Sequence, residues 1–477
     1  MRISASGSES PLARRDCGMK QKINAMRYAL CAMQLEELNM DWNQLLKEAT
    51  HYFQEYIRID TVNPPGNEIE GARFFKKIFG AEAIPCQIYE PSPGRGNLLA
   101  TLKGDGSKRP ILLLSHIDVV PVEKEGWEAP PFAGVIKDGY LYGRGTLDCK
   151  SLGIIEMMAL LILKREKISL KRDLVFFATA DEETGGRWGV QWAMENIPSL
   201  RESEYGLNEG GHIILKENGT ADRYAISNGQ KVIFQLRLKA RGTGGHGSMP
   251  HPDNPNVKLI HGLEAITKWE TPFHIIPTVK EYFYKMALKQ PPYERALFED
   301  IEKGLNDPSF SIWLTSNPIY NAMLRNTISL TILQGGSKAN VIPSESAATL
   351  DCRLIPGTNK EEFLKDIKRR LGDEIEVEVI SESDSLSPSP LDTDLYQAIE
   401  KSASENDPGC PVVPFLLPGA TDSRFLRESG IITYDFCPFR LTEKELMRVH
   451  GNNERIDLEN LRFGTKMLVE IIKEIAT

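Results

Sequence analysis

Cysteine is sparse and unpatterned in this chain: seven residues, at 17, 31, 86, 149, 352, 410 and 437, an odd number without paired spacing in 477. In a long chain this reads as reduced thiols, not a disulfide framework, and it favours a cytoplasmic protein. Long apolar runs are missing as well. No segment approaches the roughly 18 consecutive apolar residues of a membrane span. The best N-terminal candidate, Ile23–Met33, is broken by Asn24 and Arg27, so neither a transmembrane helix nor a standard signal peptide is expected. Basic excess is also absent: a formal net charge of -9 without a Lys/Arg stripe argues against nucleic acid as a partner and leaves small molecules. There is no internal repeat and no low-complexity tract. Histidine is scarce, eight in all, so the company each one keeps is informative.

What is present is an alternation of helical and strand-like periods, and the length sets a prior of two domains. Residues 1–39, Ser-rich and basic at the start, show no strand or turn pattern and read as a disordered extension or as translation from an upstream start. From Trp42 the pattern is α/β: helices at Trp42–Ile57 and near Glu68–Phe79, then strands near Asn97–Leu102 and at Ile111. A helix over Ser151–Glu166 begins just after Asp148. After Asn228-Gly229 the texture becomes that of an antiparallel sheet with one solvated face, at Val232–Ala240 and Ala347–Leu354, with helices at Asn256–Trp269 and Glu361–Leu371. Residues 231–381 therefore read as an inserted α+β domain, with Ser381–Pro390 as the return linker, and 40–230 with 382–477 as the main domain. The stretch Thr271–Leu324 carries no readable motif.

Two buried-strand runs end in polar clusters. Ile111-Leu112-Leu113-Leu114 closes in Ser115-His116-Ile117-Asp118, and Leu174–Ala180 closes in Asp181-Glu182-Glu183. Open α/β sheets bind ligands outside the carboxyl ends of their strands, so a histidine and an acidic cluster are presented towards one place. Asp118, two residues beyond His116, can accept the other imidazole N–H. Asp148 (in Gly143-Arg144-Gly145-Thr146-Leu147-Asp148), Glu209 (in Glu209-Gly210-Gly211) and His450 (in His450-Gly451-Asn452-Asn453-Glu454) complete a set of His and carboxylate donors that suits a pair of divalent ions.

These motifs together resemble the two-zinc amidohydrolases that include aminoacylase-1, carboxypeptidase S, bacterial glutamate carboxypeptidase and succinyl-diaminopimelate desuccinylase. The resemblance covers nearly all of Trp42–Ile472, and the long insertion looks most like the carboxypeptidase S branch. It implies a mixed central sheet flanked by helices plus a ferredoxin-like inserted lid and dimerisation domain, and two Zn2+, replaceable by Co2+ or Mn2+. It implies that His116 and Glu209 hold one ion, that His450 and Glu183 hold the other, and that Asp148 bridges them, with Glu182 as general base for the bridging water. His246, in Gly244-Gly245-His246-Gly247-Ser248, resembles the histidine that stabilises the oxyanion, often from a partner subunit. Asn340, Arg353, Gly419 and Arg424 resemble substrate-binding positions, a guanidinium being suited to a free carboxylate.

The expected activity is hydrolysis of an amide next to a free carboxylate, in short peptides or N-acyl amino acids, by a homodimer formed through the inserted domain. The alternative is a non-catalytic metal-binding or scaffold protein on the same fold. All six positions of the base and ligand set are intact, which favours turnover. Cys149, beside Asp148, places a thiol near the site.

Overall fold

The apolar runs at 111–114 and 174–178 form neighbouring strands. In this computed structural model, which describes residues 40–123 and 125–477, Ile111–His116 and Leu174–Thr179 run parallel, with Ile111 opposite Leu174 and His116 opposite Thr179. Every residue of both is buried, as a parallel strand covered on both faces requires. The reading of residues 1–39 lies outside the described residues. The chain divides after Lys47, and packing is described for Glu48–Thr477.

Tyr205–Asn208 joins the other side of Ile111–His116, again parallel, and Ile432–Asp435 follows parallel beyond it. Cys86–Tyr89 and Asn97–Leu102 extend one flank, and Ala221–Gln230, Ile213–Leu215, Arg440–Thr442 and Val412–Leu417 the other, giving a ten-stranded mixed sheet. Three parallel strands thus end at one edge. His116 closes the first, the Asp181–Glu183 turn follows the second, and Glu209 follows the third.

Helix Lys150–Arg165 is buried along nearly its whole circumference because it lies between the sheet and the C-terminal helix Glu459–Ala476. Phe75 and Phe79 of helix Glu68–Ala81 meet Phe176 of the sheet with ring centroids 5.0 and 5.1 Å apart. No helix among the described residues is long and apolar enough to cross a membrane.

The alternating segments form a second sheet of four antiparallel strands, in the order Thr327–Gln334, Glu345–Leu354, Val232–Arg241, Ile375–Glu382. With helices Pro255–Thr267 and Lys360–Leu371 this is a β-α-β-β-α-β unit in ferredoxin-like strand order. Val232, Phe234, Leu236, Leu238 and Ala240, every second residue, face a core shared with Leu259 and Leu263 of one helix and Phe363 and Ile367 of the other.

The stretch without a motif is helical: Pro277–Ala287, Pro292–Glu299, Ile301–Gly304, Pro308–Thr315 and Pro318–Leu324. Its aromatic core packs with Ala225, Val413 and Leu416 of the large sheet. The signal was there to be read, since four of these helices start on proline, whose fixed φ and missing N–H suit the first helical position.

Phe176→Ala should cost about 3–5 kcal/mol in urea unfolding, because the ring is fully buried among aromatics that cannot collapse into its place. Tyr293→Ala, at 66% exposure, should stay within about 0.5 kcal/mol of the parent.

Candidate metal centre

The site is assembled from the ends of the parallel strands. His116 is buried at the last strand residue, and its Nδ1 lies 2.9 Å from the main-chain O of Asp118. A carbonyl only accepts, so Nδ1 carries a proton, and a neutral ring would have its lone pair at Nε2. Nε2 faces Asp148 Oδ1 at 2.8 Å and Glu209 Oε1 at 3.6 Å. On the other side of the same carboxylate, His450 Nε2 lies 3.0 Å from Asp148 Oδ2 and 3.4 Å from Glu183 Oε1. Asp148 thus presents one oxygen to each histidine.

The expectation that the Asp118 carboxylate takes the His116 N–H is corrected. The carboxylate oxygen is 3.6 Å from Nδ1, and the main chain does that work. The carboxylate instead accepts the backbone N–H groups of Glu182 and Glu183, both at 3.1 Å, and an amide N–H of Asn63 at 2.8 Å. Asp118 therefore ties the histidine strand to the acidic turn. Asp181, in the left-handed region at φ 73°, is held by Arg95, by Thr184 and by the N–H of Trp188. Arg95 also pairs with Glu68 at 2.9 Å and donates to Asn63 at 3.0 Å. This buried network behind the turn is invisible in sequence because its members lie dozens of residues apart.

A second such joint holds the other half. Arg144 pairs with buried Glu454 at 2.7 Å and donates to the carbonyls of His450 and Gly451 at 3.0 and 3.2 Å. Glu454 accepts the N–H groups of Gly145, Leu147 and Asp148 at 3.1, 2.7 and 3.3 Å. The loop that carries Asp148 and the loop that carries His450 are thereby one unit. The peptide bond Asp148–Cys149 is cis. The Cys149 thiol accepts the N–H of His116 at 3.3 Å, and burial pushes its pKa well up, which makes it an inert structural thiol and not a reactive one.

Charge is unbalanced here. Burial, then Glu209, pushes Glu182 well above the usual carboxylate range; burial, then Asp148, pushes Glu209 up to about 8. Burial also raises Glu183 and takes Asp422 to about 6. His450 is held up at about 10 by Asp148 and then Glu183. Asp422, given no role from sequence, adds its charge to Glu182 and has a buried oxygen, Oδ1, without a partner.

Two donor groups emerge, His116, Asp148, Cys149 and Glu209 in one and Asp148, Glu183 and His450 in the other, each with ligand atoms within 4.8 Å of one another. Glu183 Oε1 is buried, with His450 Nε2 at 3.4 Å as its near polar neighbour. Two histidines converging on one carboxylate and an excess of buried carboxylates around them fit a pair of divalent cations sharing Asp148, and the His and carboxylate donors suit zinc.

The remaining candidates are not members of these two donor groups. His246 is exposed, its Nδ1 accepting from Ser248 N at 3.2 Å, so its neutral ring keeps the proton on Nε2. Exposed Asn340 is beside it, its carbonyl accepting from Gly247 N at 2.8 Å. Arg353 pairs through Nε with Asp351 at 3.0 Å. Arg424 donates to the carbonyls of Gly185 at 2.8 Å and Thr421 at 3.0 Å, next to the acidic turn. Gly419 is exposed, and a Cβ there would meet nothing within 4 Å, so close backbone packing does not require a glycine.

The sequence pattern of Peptidase family M20/M25/M40 matches residues 112–474. Over 424 residues the chain is 32% identical to the N-fatty-acyl-amino acid synthase/hydrolase PM20D1 of Homo sapiens, covering 86% of this chain and 82% of that one. It is 29% identical over 389 residues to the probable carboxypeptidase S-like 2 of Dictyostelium discoideum, covering 79% and 74% respectively. In fold it resembles the M20 family metallo-carboxypeptidase Sso-CP2 from Sulfolobus solfataricus, with a TM-score of 0.68 at 18% identity, covering 91% of this chain and 99% of that one.

Glu454→Gln should weaken binding of added zinc by about 10–100-fold in a competition titration, since the positions of both Asp148 and His450 depend on that carboxylate.

Proposed function

The chain belongs to peptidase family M20/M25/M40, a family of hydrolases of peptide and amide C–N bonds, and from that membership we propose that it cleaves the amide of N-acyl amino acids, and secondarily of short peptides, next to a free carboxylate. The observation that carries this reading is Asp148, with one oxygen towards each of two histidines and a base-forming glutamate on the adjoining turn. His116 and Glu209 would hold one zinc ion and His450 and Glu183 the other, with Asp148 available to both. Such a pair supplies Lewis acidity to the scissile carbonyl and lowers the pKa of water towards about 7.

Glu182 takes the proton from the attacking water and passes it to the leaving nitrogen. Asp118, which accepts the N–H of Glu182, fixes the base in place. A neutral His246 offers Nε2–H as the donor to the developing oxyanion. Its exposure suits donation to a second copy of the chain. The edge strand Thr327–Gln334, with Leu330, Ile332 and Leu333 exposed, suits pairing of two copies through the four-stranded sheet. Asn340, beside His246, and Arg353 hold the substrate carboxylate, and Arg424 with the Gly419 loop borders the leaving group.

The N-acyl class is preferred over peptides for two reasons. The human relative, matched over 82% of its length, is named for N-fatty-acyl amino acids. A cavity of about 1090 Å³, lined by Val62, Pro65, Pro121, Trp127, Pro131 and Phe132, adjoins the segments that carry Asn63 and Asp118, and its walls suit an apolar acyl chain. A non-catalytic scaffold would have no use for the base.

Zinc-loaded protein should release amino acid from N-acyl amino acids with long apolar acyl groups faster than from dipeptides, and Glu182→Gln should lower kcat by about 10²–10⁴-fold. Equal release by the variant would remove Glu182 from the chemistry. His246→Ala mixed with Glu182→Gln should regain activity that neither has alone; heterodimers that stay inactive would contradict donation across subunits.

A further inference from the structure

We propose that Asn453 is a positioning residue for the acyl half of the substrate: it fixes a wall of the cavity of about 1090 Å³ against the loop that carries His450, and the preference for long acyl chains depends on it. This rests on the N-acyl reading of that cavity. Asn453 itself lines no part of the cavity and belongs to neither donor group of the metal centre.

The wall in question is Trp127–Ala133, a stretch without helix or strand in which Pro130 and Pro131 have no N–H to give. A wall of this kind is only as fixed as its ties to its neighbours. Among the described residues, the main chain of Glu125–Glu128 hydrogen-bonds to Asn452 and Asn453 and to no other residue. Asn453 supplies two of the three bonds: its Oδ1 accepts the N–H of Glu128 at 2.6 Å and its Nδ2 donates to the carbonyl of Gly126 at 3.1 Å, so the amide is used at both ends. Asn452 Nδ2 donates to the carbonyl of Glu125 at 3.0 Å. Asn453 takes the left-handed backbone at φ 59°, which asparagine tolerates better than most side chains, and His450, three residues earlier, takes it at φ 62°. Gly126 permits the close approach, since at its φ of 87° a Cβ would stand 2.8 Å from Asn452 Nδ2.

The same wall is joined to the metal centre. The carbonyl of Pro131 accepts the N–H of Arg144 at 3.0 Å, which anchors that end. The Arg144 guanidinium, which donates to the carbonyls of His450 and Gly451, lies 5.5 Å from the centre of the Trp127 ring. The Trp127 end depends on the two asparagines for its hydrogen bonds. Elsewhere in the lining, Val62 and Pro65 flank Asn63, which donates to Asp118 at 2.8 Å, so the cavity is tied to both joints that hold the centre. An acyl chain held by these walls contributes to the rate through the placing of the scissile amide, and an error of about 1 Å in that placing can cost about 100-fold. An acetyl group has a single methyl to bury and gains little from the wall, so the loss falls on long chains.

The test compares kcat/KM of the zinc-loaded full-length protein for N-dodecanoyl-L-leucine and N-acetyl-L-leucine. The parent should prefer the dodecanoyl substrate. Asn453→Gly, which keeps the left-handed backbone and removes only the amide, should lower the ratio of the two values about tenfold, and Asn452→Ala, which removes one bond of the three, about threefold. A merely structural or metal-holding role would lower both values together and leave the ratio where it was. A ratio at or above the parental figure in Asn453→Gly would therefore overturn the proposal, whether both values fall or neither moves. If Asn453→Gly does not fold, Asn452→Ala decides in the same way. A parent with no preference for the dodecanoyl substrate would contradict the N-acyl reading itself, and the role of Asn453 with it.

Discussion

One carboxylate, Asp148, set between two histidines governs this structure. Because the Asp118 carbonyl fixes the proton of His116 on Nδ1, Nε2 meets Asp148 across 2.8 Å as acceptor against acceptor. That arrangement is repulsive unless a cation lies between them or the ring is protonated. Around it stand Glu182, Glu183 and Glu209, whose pKa values are all driven up by burial. The neighbouring arginines are committed elsewhere, Arg95 to Glu68 and Asp181 and Arg144 to Glu454. The positive charge nearest these carboxylates is therefore that of His116 and His450, whose pKa values are both raised, and a bound cation would invert the pressure on every carboxylate around it.

The large sheet turns this electrostatic problem into a positioned one. Parallel pairing of Ile111–His116 with Leu174–Thr179 and Tyr205–Asn208 brings a histidine, an acidic turn and a further glutamate to one edge. Two ionic joints then hold the loops: Asp118 with Asn63 and Arg95 behind the turn, and Arg144 with Glu454 between Asp148 and His450. Both are buried, so their worth lies less in net stability than in fixing geometry. The four-stranded sheet contributes nothing to the cluster itself; it carries Arg353, while His246 lies in a separate two-stranded pair with Val341–Ile342, which Asn340 precedes.

The strand ends were legible because burial on both faces forces continuous apolar runs, and a polar cluster closing such a run stands out, as at Leu174–Ala180 before Asp181. The alternation of Val232–Arg241 revealed the second sheet for the same reason in reverse, since one face is solvated. What sequence could not give was any contact spanning hundreds of residues, as between Arg144 and Glu454, or the use of the Asp118 carboxylate on backbone N–H groups in place of the imidazole. Asp181 looked like a third member of an acidic triplet, yet its left-handed backbone and its pairing with Arg95 make it the anchor of the turn. The helices from Pro277 to Leu324 were missed although their prolines marked four starts, because amphipathic periods in helices of 4–11 residues are too short to stand out.

Anomalous diffraction at the zinc edge, from crystals of the zinc-loaded protein, tests the central claim most directly. Two peaks about 3.5–4 Å apart are expected, one beside His116 and Glu209 and one beside His450 and Glu183, with Asp148 between them. A single peak, or peaks with Asp148 bound to one ion alone, would contradict it.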